Sequence, residues 1–335
     1  MARLNQDENS LLRRIEQAFQ GKPGNHRGRL KLGPGDDAAL FSPSSGCETI
    51  LTCDWFLEGT HFLRDKYPAD AVGWKCLARA VSDVAAIGGM PQCFLLSLAL
   101  PETLTGRWLA QFLSGLKRAA RRFGCVLAGG DTTQGEEILI SVAVIGEVRK
   151  GQAVLRSGAK PGDVIFVSGR LGQAELGLQL LRSGETFAGK KDPALKKHLY
   201  PEPRVALGKW LAEKRLATAM MDLSDGLSSD LPRLCAASGV GARIEEAKLP
   251  MVSRSWGKRT QGFDALHLAL DGGDDYELLF TVAKSKARNL PDSFERIALT
   301  AIGEIIPGES ILRTEPDGRQ RDLMARGWDP FRKKI

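Results

Sequence analysis

Six short acid-bearing segments, each built on small residues, punctuate the apolar stretches of this chain: GPGDDAAL (33–40), LTCDWFLEG (51–59), VSDVAAIGG (81–89), AGGDTT (128–133), MDLSDGLSSD (221–230) and DGGDDYELLF (271–280). Most follow or interrupt an apolar run, and most sit beside glycine. The chain carries a formal net charge of +7, so these carboxylates are not part of an acidic background. An aspartate at a strand end or tight turn, with little bulk around it, suits hard cations and the phosphates they carry. One such segment is a weak signal. Six in one chain point to a multi-metal phosphate site.

The order of elements sets the fold class. Residues 8–19 place Leu11, Leu12, Ile15 and Phe19 on one helical face, with Gly21 and Pro23 beyond. A short strand follows at Ile50–Cys53, then an alanine-rich helix over 69–87 and a buried strand at Cys93–Leu100. A helix at about 103–123 and strands at 125–128 and 138–145 complete the first half, the two strands flanking a glycine turn, GGDTTQGEE. Strands alternating with helices predict an α/β or α+β protein. The Gly- and Lys-rich connection Arg149–Asp163 marks a domain boundary, with domains at 1–150 and 151–335. The second half predicts a strand at Val164–Ser168, helices near 172–183, 203–216 and 226–238, and strands near 218–222, 265–270, 277–283 and 298–305. Acid segments at strand ends in both halves predict a site at the domain interface, a common place for ligand pockets.

Size and composition bound the alternatives. A length of 335 residues fits two domains, and 43% apolar with 26% charged residues is ordinary for a soluble globular chain. No apolar run approaches a membrane span, and the N-terminal stretch lacks the uninterrupted apolar core of a signal peptide. Cys47, Cys53, Cys76, Cys93, Cys125 and Cys235 show no CxxC spacing and read as buried, reduced thiols of a cytoplasmic protein. The basic clusters Lys117–Arg122, Lys190–His198 and the terminal FRKKI lack interleaved aromatics, so they read as solvated faces. Neither a nucleic-acid nor a membrane partner is expected.

Each acid segment also has a plainer reading. GPGDD is a poor dinucleotide fingerprint, since Pro34 sits inside the turn, and a glycine turn with solvated acids competes with metal binding by Asp37. His61, in EGTHF, is a ligand candidate or an ordinary hydrogen-bonded histidine. Asp83 lies among small and apolar residues mid-helix, where it either faces solvent or meets a cation. Gly130 and Thr132 could turn their N–H groups, beside Asp131, toward a phosphate. Ser224 and Asp225 serve either chemistry at the end of the strand closing on Asp222 or simple helix capping. A P-loop, the protein-kinase signatures, HExxH and GxSxG are all absent.

Taken together and in order, GDDAAL, Asp54 with EGTHF, SDVAAIGG, GGDTT, RSGAKPGD, DLSDGLSSDL, GGDDYEL and a late GW resemble the thiamine-monophosphate kinase family, from about residue 8 to Phe331. That family belongs to the superfamily of aminoimidazole ribonucleotide synthetase and selenophosphate synthetase. The resemblance implies an α/β (α+β) fold with an N-terminal mixed, barrel-like dimerising half and a C-terminal α/β half. It implies magnesium-dependent transfer of the ATP γ-phosphate to thiamine monophosphate by a homodimer. Carried over by position, Asp37, Thr52, Cys53, Asp54, Asp83, Asp131 and Asp222 correspond to magnesium ligands, with Asp225 holding a further ion. Gly130, Asp131, Arg156 and Ser224 correspond to ATP contacts, and His61, Asp274 and Trp328 to the thiamine side. Asp54, Asp131 and Asp222 would carry the catalytic metal chemistry.

Two positions depart from the family pattern. Cys53 stands where threonine is common, so its metal contact requires the backbone carbonyl, and Asp274 is one methylene shorter than the usual glutamate. An oxygen-activating synthetase of the same superfamily is the nearest enzyme alternative, although Trp328 and EGTHF favour the thiamine enzyme. A non-catalytic cation binder is the alternative of another class, against which Arg156 and GGDTT argue.

Overall fold

The computed structural model describes residues 8–19, 29–185, 192–252 and 262–331. Gly21, Pro23, Lys190, Lys191 and residues 332–335 lie outside them. The chain divides into two compact units, one of Met1–Val84 with Gly89–Gly151, the other of Ala85–Gly88 with Gln152–Ile335.

The first unit holds α1 (Glu8–Phe19), β1 (Leu30–Leu32), β2 (Leu40–Phe41), β3 (Cys47–Leu57), α2 (Ala69–Ala86), β4 (Met90–Leu100), α3 (Arg107–Phe123), β5 (Val126–Gln134) and β6 (Leu139–Arg149). Strands β3, β6, β4 and β5 form a sheet in that order, antiparallel except for β4 with β5. The parallel pair is joined through α3, as a crossover demands. One face is apolar and buried, with Phe56, Leu96, Leu98, Ile140, Val142 and Val144 at or near zero exposure and Ile50 at 9%. The opposite face leaves Leu51 at 75% and Trp55 at 58% exposure, with Leu95 and Leu139 also exposed.

The second unit holds β7 (Val164–Ser168), α4 (Gln173–Arg182), α5 (Pro193–Leu199), α6 (Val205–Glu213), β8 (Ala217–Asp222), α7 (Leu227–Ser238), β9 (Gly241–Glu245), α8 (Ala265–Asp271), β10 (Leu278–Val282), α9 (Lys284–Ala287), β11 (Ser293–Phe294), β12 (Ile297–Ile306), β13 (Ile311–Thr314) and β14 (Gln320–Asp322). Its sheet runs β14-β13-β9-β12-β7-β10-β8, with β11 paired to β12. The central strands are buried on both faces. Ile165, Val167, Met221 and Leu279 pack with Leu227, Leu231 and Leu234 of α7, whereas Phe166, Met220, Leu278 and Phe280 pack with Leu207 and Leu211 of α6. The expected mixed α/β class is what the chain adopts.

Several local expectations need correction. Residues 265–270 are helical because the Asp264 carboxylate accepts the N–H groups of Leu266 and His267 and caps α8. GGDTT is not a turn: it continues β5 through Gln134, paired to β4. β3 extends well past Cys53, so Asp54 lies inside a strand rather than after one. Cys53 is exposed and Cys47 half-buried, whereas the other four thiols are buried, and all six are free. Lys197 and His198 are not a solvated face, because Lys197 pairs with buried Glu277 and His198 is 1% exposed.

Candidate active site

In the first unit the strand pleat sorts the predicted residues. Thr52 and Asp54 alternate with Ile50 and Phe56 on the buried face of β3, which is an edge strand. Helix α2 lies against that face. The Thr52 hydroxyl donates to the Asp83 carboxylate, and the Arg79 guanidinium stands 5.6 Å over the Phe56 ring. Asp83, half-buried, therefore meets a hydroxyl of β3. His61 accepts the Leu57 N–H at Nδ1, 3.0 Å away, so its ring places any proton on Nε2. Cys53 points to the other face, its thiol 3.2 Å from the Ser141 hydroxyl.

Asp131 is placed elsewhere. Its register partner is Ser97, which pairs with Ser141, which pairs with Trp55. This row belongs to the exposed face, three strand spacings of roughly 4.8 Å from β3. The Thr132 N–H turns back to the Asp131 carboxylate at 2.9 Å. Gly130 is fixed sterically, since a Cβ there would lie 1.8 Å from the Leu96 carbonyl oxygen, at φ +154. Asp37 is exposed on the loop joining β1 to β2.

In the second unit, main-chain hydrogen bonds gather distant segments at the end of β8. Asp222 is buried there, opposite Leu278. The Leu223 carbonyl accepts the Tyr276 N–H at 2.9 Å, Ser224 accepts the Asp274 N–H at 2.8 Å, and Asp225 accepts the Trp328 N–H at 2.8 Å. Asp222, Ser224, Asp225, Asp274 and Trp328 thus converge. Gly327 permits the last contact, because a Cβ there would come within 2.1 Å of the Asp225 carbonyl oxygen. Arg156 is held apart: its carbonyl binds Ser238 at the far end of α7, and its side chain is exposed.

Sequence reasoning missed Asp230. Helix α7 follows Gly226 at its N-terminal boundary, with no side-chain cap from Ser224 or Asp225. Instead the buried Asp230 carboxylate collects the N–H groups of Ser224, Asp225 and Gly226 at 3.1–3.2 Å, and Arg233 braces it at 2.8 Å. Burial, with help from Asp225, pushes its carboxyl up to about 6. The signal was the i+4 and i+5 spacing from the DLSDG turn.

Asp275 and Glu277 were missed as well. Asp275 binds the N–H groups of Gly172 and Ala174 at the start of α4. Burial pushes it up to about 7, against the pull of Lys197 and those two donors. Glu277 shows the reverse balance: burial alone would raise it, but Lys197 and Arg204 hold it below the ordinary carboxylate range.

Among the described residues no three His, Cys, Asp or Glu side chains form a ready-made metal cage. The donors present are hard oxygens, Thr52 and Asp83 already in contact on the face that Asp54 shares. Such a set fits magnesium, which is held by one or two carboxylates with phosphate oxygens and water completing its shell. It does not fit zinc. The Cys53 thiol turns away from that face, so any contribution must come from the β3 backbone, where an edge strand leaves alternate carbonyls unpaired.

Comparison with known proteins agrees with this architecture. Residues 35–148 match the N-terminal domain model of AIR synthase related proteins, and 160–313 the C-terminal one. The thiamine-monophosphate kinase of Escherichia coli K12 is 38% identical over 309 residues, 90% of this chain and 92% of that protein. The Bacillus subtilis 168 enzyme is 35% identical over 92% and 95%. Among solved structures, thiamine-monophosphate kinase from Stenotrophomonas maltophilia K279a superposes with a TM-score of 0.80 at 36% identity, covering 92% of this chain and 96% of that one. AaThiL complexed with AMPPCP and TMP gives 0.75 at 35% over 98% of both chains. The hydrogenase maturation protein HypE, 19% identical with a TM-score of 0.74, shares the fold alone. No helix among the described residues is long and apolar enough to cross a membrane. Identity above 30% across nine-tenths of the length shows that the chain belongs to the thiamine-monophosphate kinase family.

Proposed function

We propose that this kinase transfers the γ-phosphate of ATP to thiamine monophosphate, giving thiamine diphosphate, by direct in-line displacement with several magnesium ions. The observation that carries this reading is a relative, alike over 98% of both chains, that was solved with AMPPCP and TMP. The convergence of Asp222, Ser224, Asp225, Asp274 and Trp328 supports it from this chain's own geometry.

Bound magnesium would neutralise the phosphate charge that opposes transfer. Asp37, Thr52, the Cys53 carbonyl, Asp54, Asp83, Asp131 and Asp222 are proposed to share these ions, Asp131 serving a different one from Thr52 and Asp83, and Asp225 taking a further ion. Gly130, Asp131, Arg156 and Ser224 are assigned to ATP. His61, Asp274 and Trp328 are assigned to thiamine monophosphate. No protein nucleophile is required, because the acceptor phosphate oxygen is already anionic at neutral pH.

The N-terminal unit is also proposed to dimerise through the exposed face of its sheet. Leu51, Trp55, Leu95 and Leu139 make that face apolar enough to bury. Six free thiols suit a cytoplasmic location. Incubation with ATP, magnesium and thiamine monophosphate tests the activity, which should yield thiamine diphosphate. Release of inorganic phosphate with no thiamine diphosphate would refute it.

A further inference from the structure

The acids of the DGGDDYE segment have divided their work. Asp275 holds the first turn of α4, and Glu277 is enclosed by Lys197, Arg204 and Ser168. Asp274 stands between the strand-end Ser224 and the interior, half-buried. Its backbone is in the left-handed region at φ +66, and so is that of Tyr276 at φ +48. L residues adopt that region only where their surroundings force it, and such positions collect at functional sites. Here the forcing contacts are visible. The N–H groups of both residues are tied to the carbonyls of Ser224 and Leu223, and Gly273 lies so close that a Cβ would meet the Ser224 carbonyl at 2.6 Å.

The result of the double left-handed step is a specific side-chain contact. Tyr276, 2% exposed, donates its hydroxyl proton to Asp274 Oδ1 at 2.6 Å. The second carboxylate oxygen lies 4.0 Å from Nδ1 of His198, which is itself buried. A tyrosine hydroxyl orients a carboxylate through a hydrogen bond and adds no charge of its own. With Oδ1 tied down, a side chain as short as aspartate has little arc left, so the direction of Oδ2 is set.

We infer that Tyr276 is a positioning residue that aims the Asp274 carboxylate at the cationic, amine-bearing ring half of the acceptor substrate. This rests on the proposed thiamine monophosphate kinase reading. Asp274 meets the substrate, and Tyr276 acts through it.

The test compares wild type, Tyr276→Phe, Asp274→Ala and the double variant in steady-state assays with both substrates, alongside Tm. Losing a hydrogen bond to a charged group should raise KM for thiamine monophosphate about tenfold in Tyr276→Phe. The KM for ATP and kcat should stay within about twofold, and Tm within about 2 °C. In the Asp274→Ala background, Tyr276→Phe should change KM no further, since the group it acts through is gone. An unchanged KM in Tyr276→Phe, or an additive effect in the double variant, overturns the inference and leaves the kinase reading standing. A large fall in Tm would show that the hydroxyl serves the fold and would overturn it too. If wild type makes no thiamine diphosphate, the kinase reading falls and takes the inference with it.

Discussion

The guanidinium of Arg233 lies 2.5 Å from the Asp225 carboxylate and 2.8 Å from that of Asp230. The acid proposed to take a further magnesium ion therefore already has a cation, supplied one helical turn beyond Asp230. A monovalent guanidinium and a divalent ion compete for the same oxygens. Arg233→Ala should lower the magnesium concentration for half-maximal activity about threefold, in keeping with a partly exposed pair. Asp230 keeps its three backbone donors, so the fold should persist. A magnesium titration of activity that superposes on wild type would remove Arg233 from any role at that ion.

Charge removal at the proposed ligands gives a second expectation. Asp54→Asn and Asp83→Asn preserve size and polarity but weaken a hard-cation site, so each should cost on the order of 100-fold in kcat/KM at fixed magnesium. Thr52 can still donate to the amide oxygen at position 83. Circular dichroism should therefore remain that of wild type. Near-normal turnover in both variants at saturating magnesium is incompatible with the proposed set.

The buried network around Glu277 sets a pH dependence whose sign can be worked out. Lys197 and Arg204 hold Glu277 low, so its stabilisation is present above the ordinary glutamate range and lost as pH falls through its depressed value. Asp275, raised to about 7, acts the other way: the folded chain prefers it protonated, so stability declines as pH rises from its unfolded value near 4 through 7. Asp230, raised to about 6, adds to that decline. In ligand-free protein, Tm should pass through a maximum at mildly acidic pH. Glu277→Gln should lower Tm by about 5–10 °C at pH 7, because it takes the shared carboxylate from the partly buried Lys197 and Arg204 at a cost of about 3 kcal/mol. A Tm within 2 °C of wild type would contradict the network's role.

How far this was legible in the sequence depends on the reach of each contact. The mixed α/β class and most strands and helices could be read because apolar periodicity is local. Residues 265–270 could not: Leu266, Leu268 and Leu270 alternate as in a strand, and the single cap from Asp264 decides for a helix. GGDTT reads as a turn because glycines usually make one, yet Gly130 serves to let β5 approach β4. The DLSDG pattern singled out Asp222, Ser224 and Asp225, and main-chain bonds from Asp274 and Trp328 meet that same strand end. The structural duties of Asp275 and Glu277 rest on partners 73 to 109 residues away, which no local pattern announces.

The exposed sheet face yields an assembly prediction. Trp55 and Leu51 stand two pleats apart toward the same side of β3 at 58% and 75% exposure. If that face is buried between two copies, wild type should sediment near twice its 36.4 kDa mass. Trp55→Asp should shift it toward monomer, since an unpaired carboxylate in an apolar interface is costly. Wild type at 36 kDa across micromolar concentrations would rule the interface out.

Trp328 offers the sharpest division between anchor and substrate contact. Its main chain is tied on its own account: the N–H binds the Asp225 carbonyl and Gly327 packs on the same oxygen. The residue is only half-buried, and its N–H is tied to the Ser224–Asp225 segment that also holds Asp274. An aromatic face there suits a positively charged thiazolium, worth roughly 0.5–2 kcal/mol. Trp328→Ala should therefore raise KM for thiamine monophosphate about tenfold, and Trp328→Phe much less, because a phenyl face keeps part of the attraction. The KM for ATP should barely move, its proposed contacts being Gly130, Asp131, Arg156 and Ser224. Because the glycine and the N–H bond tie the segment through its main chain, Tm should change by only a few degrees. A large loss of Tm with thiamine monophosphate binding intact would make Trp328 an anchor and end the stacking role.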